Sequence, residues 1–212
     1  MDFIYDPYLV LYLPMYRLDG ASFRSRDAYG HLCTAAGSLW RPDGRRFDGI
    51  DDKVDIPYTS ILNPNQFTLS LWVKVTGGQG TDRSPVTSRQ AMPSAGGYIF
   101  YARSTNVWEF WIGNVTWGNT TGGSVVLNEW TYLTATYNNG TTNHYENGVF
   151  KGKLTKTLLV NSSKPFRIGA GATEGTGDFW FPGTVGEVAL YRRALTPLEI
   201  QHNYVATKWR YR

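Results

Sequence analysis

Trp72, Tyr101, Trp111 and Tyr132 fall where the alternation of a strand turns them away from its apolar face. An indole or phenol ring presented on a sheet can stack on the apolar face of a sugar ring, while nearby polar groups bond the sugar hydroxyls. Glu109, Arg103, Thr134 and Asn143 stand in or beside the same runs and could supply those bonds. The rings have a second use. If the segments 77–97 and 114–123 fold over them, they form a small second core instead. Residue types leave both readings open.

Hydrolytic chemistry has less to work with. Glu109 is the carboxylate inside an aromatic strand, and its same-face neighbours are Val107 and Trp111, so a paired acid and base is missing. His31, His144 and His202 are widely separated and none pairs with a Ser or Cys nucleophile. Cys33 is alone, which excludes an internal disulfide and a Cys-based zinc site, and it reads as a small core residue. The expectation is a binding surface and no enzyme.

Strands must position these groups. FTLSLWVKV at Phe67 to Val75 has period two, with Phe67, Leu69, Leu71, Val73 and Val75 inward and Trp72 outward. Tyr98 to Arg103 and Val107 to Gly113 form a hairpin across Ser104-Thr-Asn106, which puts Trp108, Phe110 and Ile112 inward and Glu109 and Trp111 outward. Trp130 to Tyr137 places Leu133 and Ala135 inward and Tyr132 and Thr134 outward, and Asn138-Asn-Gly140 turns the chain into the next strand. Leu9 to Leu13, stopped by Pro14, reads as a strand buried on both sides, and Tyr16 to Gly30 as a long loop. Further strands are expected in His31 to Trp40, after the turn at Phe47 to Pro57, and around Val86, Phe150, Phe166 and Phe179 to Tyr191. The helical signal is Thr196-Pro-Leu-Glu199, a capping hydroxyl with Pro at the first position and Glu at the third; Leu198, Ile200 or His202, and Val205 offer a packing face. About twelve short strands and one C-terminal helix predict an all-β antiparallel sandwich of jelly-roll type, as one domain over 1–212.

Composition supports this. Aromatics make up 15% of 212 residues, with eight Trp and fourteen Tyr, far above the needs of a helical domain. The net charge of +4 is spread thinly, with denser spots at Arg41 to Arg46, Arg192-Arg193 and Lys208 to Arg212, which argues against a nucleic-acid partner. The start, MDFIYDPYLVLYLPMY, is acidic and lacks a basic leader, and Leu9 to Leu13 is too short for membrane insertion. Four Asn-x-Ser/Thr matches, at Asn114, Asn119, Asn139 and Asn161, are what an Asn- and Thr-rich chain gives by chance.

The order of LVLYLP, FDGIDDKVDIP, FTLSLWVKV, WTYLTATYNNGTTNHYENG, PFRIG and GTVGEVALYRRALTPLEIQHNY resembles the LamG-like jelly roll of the concanavalin A-like lectin/glucanase superfamily, over essentially the whole chain. The resemblance implies a carbohydrate-binding or adhesion module. It also implies a structural calcium where the first strand, the FDG turn and the last strand meet, with the Gly49 carbonyl and the Glu187 carboxylate as matching positions. Gly186 stands where many relatives have Asp, which puts that carboxylate in doubt; Asp48, Asp51 and Asp52 have the alternative role of capping a turn. The superfamily's hydrolases carry Glu-x-Asp-x-x-Glu on one strand, and no such run exists here. The alternative function is a structural component of a virion, with Trp209-Arg-Tyr-Arg212 as a docking or homo-oligomer contact. Either reading places the protein in a viral particle or outside the cell.

Overall fold

Which face of each strand carries the apolar residues decides how the sheets meet. The computed structural model describes residues 6–173 and 178–212, so the first part of the acidic N-terminal stretch, 1–5, lies outside the described residues. Fifteen strands are seen among them: β1 (Leu9–Pro14), β2 (Ser22–Arg24), β3 (Leu32–Ala36), β4 (Leu39–Arg41), β5 (Gly44–Asp48), β6 (Lys53–Ile56), β7 (Phe67–Val75), β8 (Arg83–Gln90), β9 (Ala95–Ala102), β10 (Val107–Ser124), β11 (Trp130–Asn138), β12 (Thr141–Glu146), β13 (Val149–Thr155), β14 (Phe166–Ile168) and β15 (Pro182–Tyr191). One α-helix follows, α1 (Pro197–Thr207), continued by the 3-10 turn Lys208–Arg210; another 3-10 turn, Ser60–Leu62, precedes β7.

The strands form two antiparallel sheets. The first runs β13-β12-β11-β7-β15-β5-β4, with β1 also paired to β15, and the second β10-β9-β8-β14-β6-β3-β2. Their inner faces make the main core. β7 contributes Phe67, Leu69, Leu71, Val73 and Val75, as its alternation requires, and β10 meets them with Trp108, Phe110 and Ile112. This is the expected jelly-roll sandwich. Several segments carry more structure than their sequence suggested: 114–123, expected as a covering segment, continues strand β10, and Gly44–Asp48, between two expected turns, is strand β5. The loop 16–30 contains the short strand β2, and the region around Val86 is the eight-residue strand β8.

β15 organises the first sheet. It pairs with β7 along its length, while its other edge is shared by β5 at Pro182–Val185 and β1 at Glu187–Tyr191. A bulge between Val185 and Glu187 shifts the register against β7. Val185 and Val188 both enter the core, so the extra residue leaves Glu187 on the outer face. The outer face of this sheet is roofed by α1. Thr196 caps the helix through a complete capping box with Glu199, as the sequence implies. Its buried side is Ile200 and Asn203, with Tyr204 and Thr207 on the same stripe; Leu198 and Val205, expected to pack, are exposed.

Candidate functional site

The outward aromatics do not share one surface. Trp72 and Tyr132 are cross-strand neighbours of β7 and β11 in the first sheet, whereas Tyr101 and Trp111 belong to β9 and β10 in the second. They therefore lie on opposite outer faces of the sandwich. Trp72 and Tyr132 are only 2% and 4% exposed, which corrects their placement on an open face. The cover is the C-terminal segment and not the segments 77–97 and 114–123. Trp72 stacks on Tyr211 at 4.6 Å and Tyr204 at 5.6 Å, and its indole N–H donates to Thr207 Oγ1 at 2.8 Å. Trp130 closes on Tyr211 at 4.8 Å, with Lys74 over its ring.

On the second sheet Tyr101 is also buried, which corrects its expected exposure. Its ring meets Trp111 edge-on at 5.9 Å and Phe179 at 5.2 Å, and burial pushes its hydroxyl up to about 12. Glu109 accepts from Trp111 Nε1 at 2.7 Å and pairs with Arg103 Nε at 3.2 Å. Arg103 also pairs with Asp82 and lies over the Trp111 ring at 5.1 Å. Trp111 is half-buried, and the polar groups beside it already bond one another. A sugar hydroxyl would have to displace a charge-assisted bond to enter this cluster.

The two positions matched to calcium are kept apart. Gly49 packs against Pro182 at the start of β15, and Glu187 follows five residues later, roughly 15 Å along an extended strand. One ion cannot bridge them. The position where relatives carry Asp is closed as well, because a Cβ on Gly186 would lie 2.2 Å from Tyr211 Cε1. Asp48, Asp51 and Asp52 bring their oxygens within 4.8 Å of one another. Those oxygens serve the turn: Asp52 Oδ2 accepts from the Asp48 N–H at 2.8 Å, and Asp48 Oδ1 from the Ile50 and Asp51 N–H groups.

The sequence did not reveal a cleft of about 550 Å³ between the start of the chain and its end. Tyr12 on β1 and Glu187 on β15 form its floor, Tyr16, Arg17 and Arg26 one wall, and Thr207, Trp209 and Arg210 the other. Tyr12 points outward because Leu11 and Leu13 occupy the core. Arg210 lies against two rings, 3.8 Å from the centre of Tyr16 and 4.5 Å from that of Trp209. Arg26 is tied to Asp19 at 2.9 Å. Trp209, at the rim, is 59% exposed.

Glu187 is 6% exposed, and burial raises its carboxyl to about 7, although Arg210 and the Tyr211 and Tyr12 hydroxyls draw it back. Burial lifts Tyr12 and Tyr211 well above the ordinary phenol range, so both remain protonated hydroxyls. Of these groups, Trp209 and Arg210 belong to the terminal aromatic and basic run that stands out in the sequence. Tyr12, Tyr16, Arg17 and Arg26 carried no local signal, because only the pairing of β1 with β15 brings them to the C-terminus.

The family model described as the concanavalin A-like lectin/glucanases superfamily matches residues 48–201. Most of the cleft flanks that match, and Glu187 alone among the named lining residues falls inside it. Similar solved structures include a Trypanosoma rangeli sialidase in complex with sialic acid (TM-score 0.77, 17% identity, covering 98% of this chain and 34% of that one). Another is the botulinum neurotoxin serotype D binding domain (TM-score 0.73, 13% identity, covering 94% of this chain and 52% of that one). The chain thus spans about a third and about half of their lengths, and at these identities the likeness is one of fold. No curated protein matches the chain.

Proposed function

We propose, from the premise that this chain belongs to the concanavalin A-like lectin/glucanase superfamily, that it binds glycan without turning it over, in the cleft between β1 and the C-terminal turn. The observation that carries this reading is Trp209, an exposed indole at the rim of a recess lined with hydroxyls and guanidinium groups. Such a ring costs apolar hydration when bare and recovers it against a sugar face. The similar structures lend support: one is a sialidase carrying sialic acid and the other a toxin's binding domain. The make-up of the cleft supports binding without hydrolysis. Glu187 is the one carboxylate among the described lining residues, where the usual glycosidase chemistry needs two. The flanking phenols, held protonated, are hydrogen-bond donors and poor nucleophiles.

A glycan array probed with the purified protein tests the reading. Trp209→Ala should weaken the strongest array signal about tenfold, the size of one aromatic stacking contact, with the melting temperature unchanged. Trp111→Ala should leave binding as it is. Silence across the array from folded protein would refute glycan binding, and loss on Trp111→Ala alone would move the site to the second sheet.

A further inference from the structure

We propose that the cleft takes a sugar bearing a carboxylate and that the Arg210 guanidinium receives that group; the inference rests on the glycan-binding reading above. Arg210, a residue that lines the recess, packs against the rings of Tyr16 and Trp209, yet its N–H groups meet no acceptor within hydrogen-bonding distance among the described residues. A planar fork with free edges matches a carboxylate through two parallel hydrogen bonds, and its immobilisation removes much of the entropy cost of binding. Arg17, on the same wall, is likewise without a carboxylate partner among the described residues, whereas Arg26 is neutralised by Asp19. Two guanidinium groups beside an exposed indole, one of them sharing the recess with the buried Glu187 carboxyl, describe a site for a ring that is apolar on one face and anionic at one substituent.

Glu187 makes the site sensitive to pH. The groups that face it are Tyr12 from β1, Tyr132 from β11, Tyr191 at the end of β15, and Arg210 and Tyr211 from the C-terminal segment. The four phenols are all pushed up by burial, so Glu187 is the member of this set that changes charge near neutrality. Ionised, it competes for the field of Arg210 and repels a second carboxylate; protonated, it releases Arg210 to the ligand. With Glu187 and Arg210 lining one recess, affinity for an acidic sugar therefore rises as pH falls and the carboxyl takes up its proton.

The test is calorimetric titration of the whole wild-type chain with 3′-sialyllactose and a glucuronic-acid oligosaccharide, each beside its carboxyl-reduced counterpart. Reduction of the carboxylate should cost about tenfold or more in Kd for whichever acid binds, and affinity should weaken about tenfold from pH 5.5 to 8.5. Arg210→Gln should lose the preference for the acid, Arg210→Lys should recover only part of it, and Glu187→Gln should flatten the pH profile. Equal affinity for acid and reduced sugar in the wild type would overturn the inference while leaving glycan binding intact, and that comparison needs no variant to fold. Binding of neutral glycans alone would overturn it too. Absence of binding to any glycan would remove the reading on which it rests.

Discussion

Gly186→Ala is the perturbation that most directly tests how the site is assembled. The added Cβ would sit 2.2 Å from Tyr211 Cε1 and 2.7 Å from its Cζ, far inside van der Waals contact, so the ring must leave its seat. Tyr211 is buried against Trp72 and Trp130 at centroid distances of 4.6 and 4.8 Å. Exposing a large side chain costs about 2 kcal/mol, and two aromatic pairs add about 1 kcal/mol each at the middle of their range. The sum, about 4 kcal/mol, is an upper figure because the ring can keep part of its contact. At 2–4 °C per kcal/mol for a chain of this size, the melting temperature should fall by roughly 8–16 °C if the loss is global. If the tail alone detaches, the fall is smaller, and tryptophan emission shifts to the red as Trp72 and Trp130 meet water. Both readouts come from one fluorescence-monitored thermal melt. Binding should fail with either, since Trp209 and Arg210 ride on the displaced segment. A Gly186→Ala/Tyr211→Ala double variant should be no worse than Tyr211→Ala alone, because the clash is then relieved. A single variant that melts within about 1 °C of wild type, with unchanged emission, would refute the packing argument.

Two further outcomes are expected. Trp72→Ala should cost about 3–5 kcal/mol, the range for truncating a buried tryptophan, read from chemical denaturation; a loss under about 1 kcal/mol, the usual size for a surface site, would mean that the ring is not roofed. Glu187 holds its proton more tightly in the native state, near 7 against an ordinary 4.5, so its contribution is fully present below about pH 4.5 and is lost as pH rises through 7. The shift corresponds to roughly 3 kcal/mol. Glu187→Gln should therefore gain on the wild type by about that amount between pH 4.5 and 8 in denaturation curves, and parallel curves would rule the effect out.

Much of the fold was legible because its signals are local. Period-two alternation in FTLSLWVKV gave the correct inward set, the turn residues gave the hairpins, and Thr196-Pro-Leu-Glu199 gave the helix start. The helix face was not legible from hydropathy, because its sheet-facing stripe of Ile200, Asn203, Tyr204 and Thr207 is largely polar or amphipathic. Asn203 and Thr207 meet aromatic partners that can hydrogen-bond, Tyr191 and Trp72, so no apolar periodicity was needed.

The sequence by itself determined the longer alternating strands with their inner faces, the turn-capping aspartates and the departure at Gly186. Tertiary structure alone decided which outward aromatics meet water. Alternation shows that Trp72 points away from the core but says nothing of what lies above it, and its hydrogen-bond partner is 135 residues away. The cleft has the same origin: β1 and the C-terminal turn are distant in the chain and meet because β1 pairs with β15 and α1 folds back over that sheet. Free energy gained by roofing Trp72 and Tyr132 holds the tail in place, and the held tail sets Arg210 and Trp209 beside Tyr16. No window of sequence contains that arrangement, since its stability is shared among residues from both ends of the chain.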